Sequence, residues 1–123
     1  MSDTAVIWVR FTQDGFHCWP NGPEYLANRH RHLFYVEVEV PLTIDNDRTI
    51  EFHELLTSAK TVMRDITPTP VAYDYGDWSC ETIAWNLGVR LCRLYQRTVA
   101  VTVSEDNECG AKVNVSTDEV LTD

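Results

Sequence analysis

The 123-residue sequence predicts an α+β domain: a four-stranded antiparallel sheet with two helices on one face, in the order ββααββ. Three observations carry this. Four segments alternate apolar and polar residues with period two, and two others repeat apolar residues with a helical period. The breaks between them concentrate Gly, Pro, Asn and Asp, the residues that interrupt regular structure.

The first strand is read over 5–12, AVIWVRFT, with Ile7, Val9 and Phe11 on one face and Trp8, Arg10 and Thr12 on the other. Gly15, Pro20, Asn21, Gly22 and Pro23 then predict a long connecting loop, of the kind that carries function more often than not. The second strand covers 33–40, LFYVEVEV, where Phe34, Val36, Val38 and Val40 oppose Tyr35, Glu37 and Glu39. From Glu51 the period changes. Phe52, Leu55, Leu56, Ala59, Val62, Met63 and Ile66 form one stripe of a helix that Pro68 and Pro70 stop. A second helix near 80–95 turns Ile83, Ala84, Leu87, Leu91 and Leu94 inward, and Ser79 or Asp77 is positioned to cap it. Strands over 98–104 and 111–116 follow, joined across DNECG, and 116–123 reads as a frayed acidic tail. The whole of 1–123 is expected to be a single domain.

Nineteen acidic against ten basic residues give a net charge of -9, which repels phosphate backbones and anionic bilayers. Nucleic acid and membrane are therefore not expected as partners. The opening MSDTAVIWV has no basic n-region, which speaks against secretion. Cys18, Cys80, Cys92 and Cys109 contain no C-x-x-C pair and are expected as free thiols of a cytoplasmic protein.

His30 and His32 stand one residue apart where the chain enters a strand. Side chains at i and i+2 of a strand share a face, so both imidazoles can reach one ion. His17, across the loop, would complete three neutral nitrogens with an open fourth place, a donor set that suits Zn²⁺ in its catalytic form. An H-x-H alone is equally a pair of unconnected surface histidines. His53, on the polar flank of the first helix, reads as a surface residue.

These motifs, in this order, resemble the 6-pyruvoyl-tetrahydropterin and 6-carboxytetrahydropterin synthase family. FTQDGFH, ending in His17, resembles the family's first-histidine strand, and His30-Arg31-His32 its H-G-H. IEFHELL is similar to its first helix start, with Glu51 for aspartate; WSCETIAWNL, with Glu81, to its second; and VTVSEDNECGAKVNV, with Glu105, to its last hairpin. The resemblance implies the tunnelling fold and zinc on His17, His30 and His32. It also implies Glu105 and Glu81 on the side of a pterin or guanine-like ligand, and a homo-oligomer, trimer or hexamer. Glu105 has chemistry to match, because an ionised carboxylate offers two acceptors to the adjacent N–H donors of a pterin edge. Its other reading is a solvated acidic turn with Asp106 and Glu108.

The sequence departs from the pattern at the proton-transfer groups. Leu26 stands where the family has a cysteine, and DITPTPVAYDYGDW holds no histidine for the usual Asp-His pair. Arg31 replaces the middle glycine and is expected to add bulk beside the metal. Cys18, and Cys80 at a helix start where the dipole lowers a thiol pKa, are the remaining candidates for a base; a small buried hydrophobe is the alternative for each. Two functions fit: a zinc-dependent lyase acting on a dihydropterin triphosphate or a related pterin or 7-deazaguanine-pathway compound, or a binder of such a molecule without turnover.

Overall fold

Antiparallel pairing, once begun, satisfies backbone groups residue by residue, and here it carries the first strand well beyond its apolar stretch. In the computed structural model, which describes residues 4–46 and 48–120, strand β1 spans Thr4–His17 and β2 spans His30–Thr43. The two pair without interruption from Thr4↔Thr43 to His17↔His30. The loop expected from residue 13 therefore shrinks to 18–29 and contains a single helical turn, α1 (Glu24–Ala27). Gly15 stays in the ladder because Gly15↔His32 is a cross-strand pair, and the ladder supplies what its missing side chain does not.

Strand β3 (Val99–Glu105) pairs with β2, and β4 (Cys109–Val115) pairs with β3, giving the sheet order β1-β2-β3-β4. Asp106 and Asn107 turn the last hairpin with φ of 55° and 59°, the left-handed conformation that matches strand twist. Helix α2 (Phe52–Asp65) is capped by Glu51, whose carboxylate accepts from the His53 and Glu54 amides. Helix α3 (Cys80–Tyr95) is capped by Ser79, accepting from Thr82 N–H at 3.2 Å, rather than by Asp77. Helix α3 packs on β3 and β4, and α2 on β1, so both cover one face of the sheet. The core between the layers holds Phe34, Val36, Val38 and Val40 of β2, Leu55 and Met63 of α2, and Ile83, Leu87 and Leu91 of α3.

Three expectations are corrected. Phe52 and Leu94, read as inward, are 57% and 59% exposed. Both lie on the apolar stripe by angle but in a terminal turn, where the neighbouring layer no longer covers them. The tail is not frayed at its start, because Thr117–Val120 forms a helical turn, α4, with Val120 against the core. Ser116 accepts from Asp118 N–H while Glu119 accepts from Ser116 N–H, a reciprocal capping box written as S-x-x-E in the sequence. Residues 121–123 lie outside the described residues. No helix among the described residues is long and apolar enough to cross a membrane.

Candidate metal centre

Period-two alternation continues through the apolar stripe into the histidines. Val9, Phe11, Gly15 and His17 share the helix-covered face of β1, and His30, His32, Phe34 and Val36 share that of β2. The three imidazoles thus meet at one end of the β1–β2 ribbon, with ring centroids 4.7, 5.2 and 4.9 Å apart. Their planes cross at 69°, 81° and 88°, so the rings face one point from three directions. One nitrogen of each lies within 4.8 Å of the others. Arg31, expected beside this point, is on the opposite sheet face, exposed and paired with Asp14, because the residue between two inward side chains of a strand must point outward.

The other nitrogen of each ring is held by an oxygen. His17 Nδ1–H donates to the Trp78 carbonyl at 2.9 Å, His30 Nδ1–H to the Asn28 carbonyl at 2.9 Å, and His32 Nδ1–H to Asp106 Oδ2 at 2.8 Å. In a neutral imidazole, an Nδ1 that donates leaves Nε2 with a bare lone pair. The buried Nε2 atoms of His30 and His32 accordingly have no hydrogen-bond partner. Around them, Glu105 places Oε1 3.3 Å from His17 Nε2 and Oε2 3.2 Å from His32 Nε2. Lone pairs facing a carboxylate repel unless a cation lies between them. Three neutral nitrogens with an acidic neighbour fit Zn²⁺, and oxygen-held Nδ1 atoms are the usual companions of metal-ligating histidines.

A segment far along the chain builds one of these supports. Residues 73–76 run alongside the end of β1, with Phe16 N–H to Tyr73 O at 3.0 Å, Tyr75 N–H to Phe16 O at 2.8 Å and Cys18 N–H to Gly76 O at 2.8 Å. This delivers the Trp78 carbonyl to His17. Arg29 braces the segment, stacking on the Phe16 ring and donating to Asp74 Oδ2 at 2.9 Å. Tyr75, fully buried, donates its hydroxyl to the Met63 carbonyl at 2.6 Å. Its ring meets Phe34, on which His17 and His32 rest edge-on.

Gly15 makes this floor possible: a Cβ there would lie 2.8 Å from the Phe34 ring and 3.0 Å from the Tyr75 ring. Both rings are fully buried and cannot withdraw. Gly15→Ala should therefore cost about 1–3 kcal/mol, the usual range for an overpacked core, and thermal unfolding measures it.

His17 and His30 of the triad border a cavity of about 500 Å³, within the range of small-molecule sites. Glu105 and Glu81 line it, as do Cys18, Cys80 and Leu26. Cys80 departs from the dipole argument. Burial, then the Glu105 carboxylate, to whose Oε1 the thiol donates at 3.7 Å, push its pKa up to about 12 and keep it protonated. His53 is exposed on α2. The sequence reading passed over Trp19, which lines the cavity with its indole against Gly22, where a Cβ would come within 2.3 Å. The signal was a glycine three residues after an indole in a Pro-rich loop. It also passed over Trp78, and it read Asp106 only as part of a solvated acidic turn; their partners lie 61 and 74 residues away.

Burial dominates His17 and lowers its pKa from the usual 6.5, outweighing the Trp78 bond and the Glu105 charge that raise it. The unfolded chain takes up this proton as pH falls through about 6.5 and the folded chain does not, so stability is present above that value and declines below it. The zinc-free protein should unfold at lower temperature at pH 5.5 than at 7.5, and less so in His17→Phe.

No protein-family model matches the chain, and no curated protein matches it. Solved structures do. The chain is similar to 6-pyruvoyl tetrahydropterin synthase from Plasmodium vivax with a TM-score of 0.63 at 15% identity, over 93% of this chain and 99% of that one. The Plasmodium falciparum enzyme gives 0.57 at 15% identity, over 92% and 98%. A Plasmodium vivax variant, in which a glutamate described as catalytic is replaced by alanine, gives 0.58 at 13%, over 93% and 99%. The chain has the fold of these synthases.

Proposed function

We propose that this protein is a zinc-dependent member of the tetrahydropterin synthase type, acting on a dihydropterin triphosphate or a related pterin or 7-deazaguanine-pathway compound. One observation carries the reading: three Nε2 atoms converge beside a cavity while every Nδ1 is already committed to an oxygen. Zinc, when bound, supplies Lewis acidity toward substrate hydroxyls. The chain's own residues supply the rest. Glu105, beside the triad, offers its carboxylate to the N–H donors of a pterin or guanine edge, and Glu81 adds a second carboxylate to the cavity lining. Trp19 and Leu26 give a flat ring an apolar boundary.

A second reading, a binder without turnover, is favoured by the apolar Leu26 and the protonated Cys80 on the cavity wall. Against it, a structural neighbour has a glutamate described as catalytic, and Glu105 is a carboxylate at ion-pair distance from His17 and His32. Incubation with 7,8-dihydroneopterin triphosphate decides. Released triphosphate or a C2 aldehyde supports the enzyme, tight binding without product supports the binder, and neither result removes both.

Strands β1 and β4 are the sheet edges, and unpaired edges invite another chain. The proposed assembly is a homo-oligomer, trimer or hexamer. A 14.1 kDa species in sedimentation equilibrium at micromolar concentration overturns it.

A further inference from the structure

We infer that Asp106 is a positioning residue of the metal centre, fixing His32 as an Nε2 donor through the one charged partner that any of the three Nδ1 atoms has. This rests on the zinc reading above. His17 and His30 are oriented by backbone carbonyls, which are neutral. His32 is oriented by a carboxylate, and Asp106 is fixed at this end of β2 by three bonds, one to the His32 ring and two to the Leu33 backbone. Oδ2 accepts from His32 Nδ1–H at 2.8 Å, Oδ1 accepts from Leu33 N–H at 3.1 Å, and Asp106 N–H donates to Leu33 O at 2.8 Å. The carboxylate thereby fixes both the tautomer and the rotation of the ring, and its charge strengthens Nε2 as a donor.

Turn formation alone does not ask for this side chain. Asp106 sits at φ 55°, a conformation that asparagine and glycine adopt as readily. The next residue, Asn107, holds φ 59° without a carboxylate. What aspartate adds at 106 is a second carboxylate oxygen, so that the ligand ring and the strand amide are served together. Glu105 and Asp106, consecutive in sequence, thus address the two nitrogens of one imidazole, Glu105 at Nε2 and Asp106 at Nδ1. That division follows from the strand's end: Glu105 still alternates inward, and the left-handed turn at 106 swings the next side chain around the ring's other edge.

Asp106→Gly removes the carboxylate without straining the turn, and Asp106→Asn keeps one oxygen for two donors. Zinc affinity, measured by competition with a chromophoric chelator, should fall 10–100-fold in the glycine variant, with the asparagine variant between it and wild type. Ring-nitrogen NMR of the zinc-free protein should find the His32 proton on Nδ1 in wild type and that preference lost in Asp106→Gly. Zinc affinity of the glycine variant within about threefold of wild type overturns the inference, well below the usual effect of such a partner. So does a wild-type His32 that carries its proton on Nε2. If wild type takes up no zinc, the metal reading falls, and the NMR comparison still decides whether Asp106 sets the ring.

Discussion

Protein refolded with excess zinc and then desalted should retain one metal ion per chain, and the His30→Ala variant should retain none. The expected loss is large. Binding free energies of about 10–16 kcal/mol for four-ligand zinc sites correspond to roughly 2.5–4 kcal/mol per ligand, or about 10²–10³ in affinity for each one removed. His30 is the sharpest choice because its Nε2 is buried without any hydrogen-bond partner and its Nδ1 is held by a local carbonyl two residues away. Its removal therefore disturbs no distant contact of those two nitrogens. Far-UV circular dichroism of the variant should match wild type, since the core from Phe34 to Leu91 lies between sheet and helices. Metal analysis showing no stoichiometric zinc on wild type would refute the centre.

Turnover of 7,8-dihydroneopterin triphosphate should be lower by about 10²–10⁴ than that of a synthase with its full proton-transfer set, the usual contribution of a positioned general base. Leu26 cannot accept a proton, and Cys80 is held protonated by burial and by Glu105. Leu26→Cys should recover only part of the difference, because residues 65–78 supply no histidine to support a thiolate. Glu105→Gln should weaken pterin binding, since an amide offers one acceptor where the ring edge presents two donors. Calorimetry with 7,8-dihydroneopterin separates binding from turnover. Full synthase activity in wild type would show that a group beside the triad is the base, with Glu105→Gln and Cys18→Ser as the variants that identify it.

The sequence by itself determined the sheet and the two covering helices, and it offered His17, His30 and His32 as candidate ligands without bringing His17 to the other two. Strand alternation is local, so Phe34 and Val36 predict the shared face of His30 and His32, whereas His17 joins the face of Val9 and Phe11 only because β1 continues past residue 12. It did not determine where β1 ends. Asp14 and Gly15 are residue types depleted in strands, and pairing with β2 holds them extended. Nor did it determine which nitrogen of each imidazole is free. That was decided by Trp78 and Asp106, brought to His17 and His32 across 61 and 74 residues, and by burial, which turned Cys80 from a candidate thiolate into a protonated thiol. Periodicity records which way a side chain points within its own element; what meets it there is set by the packing of elements that share no local signal.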